Sequence, residues 1–270
     1  MTWLEACLLG LIQGLTEFLP VSSDGHLSAA EMLLPGFAQV GVLFDVMVHV
    51  GTLVAVVIFF RKTLAEDVEG LFSRKAAQRA ASWKLAVLVI AATIPTGIVG
   101  LLLLPVTEES KTDPRFVGSM EILTGLLLLL SVFARERGRD RASTTVWDAI
   151  LIGILQGLAV LPGLSRSAST IAFALLAGLA RRWAVTFSFL ILLPAVVGAS
   201  FLEIYSAWQE KGASFFTGPD FVKYIGGAVV AGVVGFFAIG WLIRAVVAKR
   251  LHWFAIYCIL FGLALILFVR

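Results

Sequence analysis

Gly10-Leu-Ile-Gln13-Gly14-Leu15-Thr16-Glu17-Phe18-Leu19-Pro20-Val21-Ser22-Ser23-Asp24-Gly25-His26 is an apolar segment broken near its middle by Pro, Gly and hydroxyl residues. Half a chain later the outline returns: Gly153-Ile-Leu-Gln156-Gly157-Leu158 runs on to Pro162-Gly163-Leu164-Ser165-Arg166-Ser167. In a membrane protein, interrupted apolar segments at corresponding places in two halves point to a binding site between those halves.

Composition supplies the membrane. The 270 residues are 59% hydrophobic and 14% charged, and mean hydropathy is +0.96, whereas a soluble domain carries about 25% charged residues. A net charge of +3, with no basic patch interleaved with aromatics, argues against a nucleic-acid partner. Cys7 and Cys258 fit no metal spacing and read as buried free thiols. The opening Met1-Thr2-Trp3-Leu4-Glu5 has no basic region, so no cleavable signal peptide is expected.

Crossing a bilayer takes roughly 20 mostly apolar residues. Six segments qualify, at 41–60, 85–104, 117–134, 184–203, 225–245 and 251–269. Four shorter pieces, 3–19, 26–34, 147–161 and 168–180, flank the two breaks. Broken backbone is not tolerated against lipid. Each short pair is therefore expected to be a re-entrant helix–loop–helix, giving an all-α membrane protein of six transmembrane helices and two re-entrant pairs. The expected repeats are 1–146, with its re-entrant pair at 3–34, and 147–270, with its pair at 147–180; together they form one membrane domain. A re-entrant pair returns to its own side and three spans cross over, so the second repeat is inverted. Charge agrees. Placing 61–84, 135–146, 181–182 and 246–250 on one side, and counting Arg244 at the adjoining helix end, puts 15 Lys and Arg there against 5 opposite, with Arg166 inside the second break. The positive-inside rule then places both termini outside, and the two tips enter from opposite faces.

Those tips are polar. Gln13 and Glu17 share a helix face, and Ser22, Ser23, Asp24 and His26 follow. The other tip carries Gly163, Ser165, Arg166, Ser167, Ser169 and Thr170. An ionisable residue at membrane depth is a functional candidate by default, although a Glu17–Arg166 pair that merely locks the halves together is the bland alternative. Arg166 offers a planar fork for phosphate oxygens, the hydroxyls offer neutral donors, and helix starts after each break offer free N–H groups to an anion. Glu17 is suited to a divalent cation or to positioning water, and His26 to acid, base or nucleophilic work. Ser23, or a water held by Glu17 or His26, is the attacking group; the residues leave both open.

Gln13-Gly-Leu-Thr-Glu17-Phe-Leu-Pro20-Val-Ser22-Ser23-Asp24-Gly25-His26 resembles the first signature of the undecaprenyl-diphosphate phosphatases, the bacitracin-resistance membrane family. Pro162-Gly163-Leu-Ser165-Arg166-Ser167-Ala168-Ser169-Thr170 resembles the second, and the likeness extends through Phe44-Asp45-Val46, His49-Val-Gly-Thr52 and Phe187-Ser188-Phe189. The resemblance implies a bacterial inner-membrane enzyme that uses a divalent cation, Mg²⁺ or Ca²⁺. Such an enzyme hydrolyses undecaprenyl diphosphate, recycling the cell-wall lipid carrier, at a site open to the outside. It implies catalytic roles for Glu17, His26, Ser23 and Arg166. Substrate binding falls to Ser22, Gly163, Ser165, Ser167, Ser169 and Thr170, and metal binding to Glu17 and Gln13, with Asp24 a further metal candidate on its own chemistry. Asp24 stands where the family usually has a small or hydroxyl residue; a carboxylate there holds metal, pairs with Arg166 or repels phosphate. Ala168 stands where Gly is usual. The rival reading is a polyprenyl-phosphate transporter, because inverted repeats with broken helices also serve alternating access.

Elsewhere, Asp45 and His49 are expected to make a helix–helix contact or to back the site, and Glu121 and Asp148 to sit at helix ends or in packing. Glu66, Asp67, Glu69, Glu108 and Glu109 are expected to be solvated loop charges, and His252 an interfacial residue. Gly227, Ala231 and Gly235 suggest close helix packing, within the bundle or in a homodimer.

Overall fold

Thr2 and Thr145 begin the two halves in the same way. Each is extended and its hydroxyl accepts a hydrogen bond from the N–H three residues on, while the acidic side chain there, Glu5 or Asp148, accepts from the Thr backbone N–H. These capping boxes satisfy the orphan donors of a helix start. The computed structural model describes residues 1–33, 42–135, 137–212 and 220–269; part of the expected first span, at residue 41, lies outside them, as do 34 of the first short pair and 270. Among the described residues there are ten helices: α1 Trp3–Thr16, α2 Ser23–Leu33, α3 Val42–Leu71, α4 Ala76–Ser110, α5 Pro114–Val132, α6 Val146–Leu158, α7 Arg166–Leu176, α8 Arg181–Lys211, α9 Phe221–Val247 and α10 Leu251–Phe268. An isolated bridge between Arg139 and Leu179 is the one extended pairing among them.

Six helices, α3, α4, α5, α8, α9 and α10, are long and apolar enough to cross a membrane. The chain is a multi-pass membrane protein. Only 11% of the α4 apolar window is buried, and Ile90, Ile94, Ile98 and Leu102 face outward, as lipid contact requires. The remaining four helices have 14, 11, 13 and 11 residues. At about 1.5 Å per residue none spans a hydrocarbon core of about 30 Å.

Two helix starts differ from the hydropathy pattern. Helix α2 begins at Ser23 and not near 26, because Ser22 adopts φ +63° and its Oγ accepts from Gly25 N–H at 3.2 Å. Helix α7 begins at Arg166 because Ser165 caps it through Ala168 N–H. The polar residues of both breaks thus occupy first helical turns. The expected loop at 61–84 is mostly helix: α3 continues to Leu71 through good helix formers, and only 72–75 turn. Asp67, expected to be solvated, instead meets Arg141 at 2.5 Å.

The repeated glycines do the same job twice. Gly10 and Gly14 let α1 lie directly on α9, where a Cβ at Gly14 would stand 2.5 Å from Ala231 O; Gly157 does likewise for α6 on α4, 2.7 Å from Val99 Cβ. The Gly227, Ala231 and Gly235 stripe is therefore spent within one chain. Helices α3, α8 and α9 pack together beside this, and α5 packs along α10. Phe18, at the first break, is fully buried and meets Phe189 at 5.5 Å, which meets Phe60 at 5.4 Å. The first tip is thereby wedged into the central core.

Candidate active site

Helix α1 stops at Thr16, and Glu17 is its C-cap. The four-residue spacing stacks Gln13 beneath Glu17, and Gln13 Nε2 donates to Glu17 Oε2 at 3.0 Å. After the turn, Ser23 Oγ donates to the same oxygen at 2.6 Å. The other oxygen, Oε1, pairs with Arg166 Nη2 from the first turn of α7. Both Glu17 and Arg166 are largely withdrawn from the surface, with side chains 3% and 22% exposed. The ion pair thus joins the two breaks, its partners 149 residues apart in sequence. A narrow cleft opens there, lined by Glu17, Arg166, Ser167, Ser188, Phe189 and Leu192.

The second tip is rigid. Gly163 adopts φ +93°, and a Cβ there would strike Val117 O; only glycine fits both constraints. Thr124 on α5 clamps the loop, donating to Gly163 O at 3.0 Å and accepting from Ser165 N at 2.9 Å. Ser167 donates to Leu19 O of the first tip at 3.1 Å. Ser169 donates to Ser165 O at 2.8 Å and Thr170 to Arg166 O at 2.9 Å. These last hydroxyls shape the loop, while Ser167 and Ser188 reach the cleft.

Residues 6–264 match the family model described as bacitracin resistance protein BacA. The chain belongs to this family. It is 41% identical over 262 residues to the undecaprenyl-diphosphatase of Syntrophotalea carbinolica, covering 97% of each chain. To the undecaprenyl-diphosphatase of Desulfatibacillum aliphaticivorans it is 39% identical over 274 residues, again covering 97% of each. The undecaprenyl-diphosphatase of Bacteroides thetaiotaomicron is 38% identical over 268 residues, with 99% of each covered.

In this BacA-family chain the other candidate residues are distributed unevenly. His26 does not enter the cleft. Its Nδ1 lies 2.7 Å from Ser22 O and its Nε2 2.6 Å from Tyr257 Oη, and its ring stacks on Phe261 at 4.3 Å. Asp24 does not pair with Arg166, whose partner is Glu17; it lies within electrostatic range of Glu203, as do His49 and Lys111. Asp148 is a helix-end residue as expected, held by Arg139. The His252 ring lies tilted against Trp253, centroids 5.2 Å apart. Cys258 is a buried free thiol, but Cys7 is only partly buried.

Two residues were undervalued in sequence. His49 comes from α3 to within 3.8 Å of Glu17 Oε2, a contact across 32 positions that no local spacing announces. Glu121 is wholly buried, two turns inside α5, because Asp113 and Pro114 start that helix early. Its Oε1 is 3.7 Å from His26 Nδ1, and neither of its oxygens has a hydrogen-bond partner. A lone acidic residue in an apolar run was the available signal.

Proposed function

We propose that this chain hydrolyses undecaprenyl diphosphate to undecaprenyl phosphate and inorganic phosphate. The observation that carries the proposal is the convergence of Ser23, Glu17 and Arg166 from two separate breaks, in a chain that matches proteins named undecaprenyl-diphosphatase along nearly its whole length. Ser23 Oγ against a carboxylate oxygen is the pairing of a nucleophile with its base. In this reading the diphosphate takes Arg166 away from Glu17, and the guanidinium fork and Ser167 meet its oxygens. The N–H groups at the α7 start add a positive dipole end. Ser23 Oγ forms a bond to the terminal phosphorus as its proton passes to Glu17. The bridging P–O bond breaks and undecaprenyl phosphate leaves. Water then cleaves the phosphoserine and regenerates Ser23. To serve as acid or base His26 leaves Tyr257 and turns toward the diphosphate when substrate binds.

A divalent cation, Mg²⁺ or Ca²⁺, fits this donor set. Glu17 Oε2 and the buried, unpartnered Gln13 Oε1 are hard oxygen donors, and such ions are commonly held by one or two carboxylates together with substrate phosphates. Among the described residues no three His, Cys, Asp or Glu side chains cluster as a metal site, in keeping with a cation completed by substrate. When bound, it neutralises charge on the phosphoryl oxygens.

The architecture proposed with this function is a pair of inverted repeats, 1–146 and 147–270, each a re-entrant pair followed by three spans. Its support is the helix pairing. Exchanging α1–α5 with α6–α10 turns the α1–α9 contact into α6–α4 and α3–α9 into α8–α4, and leaves α5–α10 and α3–α8 unchanged; all of these pairs exist. The Lys and Arg asymmetry supports an orientation with both termini on the outer side of the inner membrane, and in this reading the site opens to that side. The test is phosphate release from purified protein in detergent, supplied with undecaprenyl diphosphate and Mg²⁺ or Ca²⁺. Release is expected, and a phosphorylated Ser23 should be trapped by acid quench. Binding without release would refute catalysis.

A further inference from the structure

We propose that the groove between α4 and the segment entering α6 binds one anionic glycerophospholipid, at a site separate from the catalytic cleft. The groove has a volume of about 530 Å³. One wall is a single face of α4, carrying Ala80, Trp83, Lys84, Val87 and Leu88; the other is residues 142–146. It lies at the opposite end of α6 from the second tip.

The groove has the layered chemistry of a membrane surface. Lys84 directly precedes the apolar stretch 85–104, to which Val87 and Leu88 belong. Trp83 lines the groove and Trp147 follows its last residue, and the two are 55% and 73% exposed. Exposed tryptophans at the end of a span mark the boundary between acyl chains and headgroups. Acyl chain therefore meets Val87 and Leu88, and headgroup meets Lys84.

Charge selects the headgroup. The segments that form the two walls, 74–84 and 137–148, hold seven Lys and Arg against two Asp. The acids are occupied: Asp148 by Arg139, and Asp140 by the backbone N–H and hydroxyl of Ser143. Asp67, reaching in from α3, is held by Arg141. Lys84 Nζ donates to Ala142 O, across the groove, which leaves two of its three N–H groups. Arg79, just above on α4, donates to Ser73 O. Neither has a carboxylate partner among the described residues. Uncompensated positive charge over an apolar wall suits a phosphate ester carried on acyl chains. A zwitterionic lipid would set its own ammonium against Lys84, and a soluble anion would leave the apolar wall bare. Basic pockets between helices at a membrane face bind anionic headgroups in this way. The wall 142–146 contains Thr145, the cap of α6, and Arg139 ties the same loop to Ala177 O after α7 at 2.9 Å. A lipid seated there braces the helix pair that presents Arg166.

The test is native mass spectrometry of the delipidated full-length protein in detergent, titrated with phosphatidylglycerol and with phosphatidylcholine of the same acyl chains. Wild type should hold one phosphatidylglycerol about fivefold or more tightly than phosphatidylcholine, the scale of one charge at a membrane surface. Its unfolding midpoint should rise with phosphatidylglycerol, as for any ligand of the folded state. Lys84→Gln should lose the preference and the rise. Ala80→Trp keeps every charge but fills the groove, and should lose the bound lipid. Arg115→Gln, at the opposite end of the α4–α5 pair, should keep both. Equal affinity for the two lipids in wild type, an intact preference in Lys84→Gln, or unaltered binding in Ala80→Trp would overturn the proposal. So would tighter binding of undecaprenyl phosphate than of phosphatidylglycerol, which would give the groove to a polyprenyl lipid. A wild-type dimer that Ala80→Trp dissociates would give it to a second copy of the chain. Thermal unfolding without lipid confirms that each variant is folded.

Discussion

Glu17 has four neighbours competing for two oxygens: Arg166 on one, and Gln13, Ser23 and His49 around the other. Its charge restrains Arg166 as well as serving Ser23. Glu17→Gln should therefore split the kinetic constants, lowering kcat by about 100-fold or more, as loss of a catalytic base does, while inorganic phosphate binds at least as tightly because Arg166 is released. Near-normal kcat would remove the carboxylate from the chemistry. His26→Ala should also cost about 100-fold in kcat, with little change in phosphate affinity, because His26 touches Tyr257 and not the cleft; unchanged turnover would exclude it from the reaction. Glu121 behaves differently. With two unpartnered buried oxygens, Glu121→Met should raise the thermal unfolding midpoint by the equivalent of about 1–3 kcal/mol. A fall would mean that the carboxyl shares a proton with His26. Sequence displayed Glu17, Ser23 and Arg166 because each breaks an apolar pattern within a motif. It hid the value of His49, whose partner is on another helix, and the exile of His26, which ring stacking against α10 decides.

At the scale of elements, the Gly-x-x-x-Gly spacing in α1 and α6 serves close packing on α9 and α4; in sequence, close packing could be read only from the Gly227, Ala231 and Gly235 stripe of α9. Which helices α1 and α6 would meet could not be read, since the partner stripes carry Gly and Ala in α9 but Ala92, Thr96 and Val99 in α4. Helix lengths were only partly legible: hydropathy marks the apolar stretch, whereas caps and extra-membrane turns set the ends of α2, α3, α4 and α7. Overpacking a contact position should be costly. Gly14→Val is expected to destabilise by about 1–3 kcal/mol or more, seen as an earlier unfolding transition in detergent. Gly100→Ala, on an α4 face with nothing within 4 Å, should be neutral or gain up to about 1 kcal/mol from helix propensity. Equal effects at both positions would contradict the packing described for α1.

For the whole molecule, the proposed inverted arrangement makes a topological prediction. With Cys7 and Cys258 replaced by Ala, Ser73→Cys in the α3–α4 turn and Thr112→Cys in the α4–α5 turn should lie on opposite faces. An impermeant maleimide should label position 112 in intact cells and position 73 only after the membrane is opened; labelling of both from outside would refute the orientation. The six candidate spans follow from hydropathy alone, and the proposed sidedness rests on charge. The meeting of the two tips is a property of the folded bundle, built by α5 holding the second tip through Thr124 and by Phe18 wedging the first into the core. The central claim is that one half contributes the attacking serine and its base and the other half the phosphate-binding arginine. Its most direct measurement is kcat/KM for phosphate release from undecaprenyl diphosphate in detergent, comparing wild type with Arg166→Ala. Loss of about 100-fold or more is predicted, the scale expected for removing a preorganised charge-stabilising group; turnover within a few-fold of wild type would contradict the account.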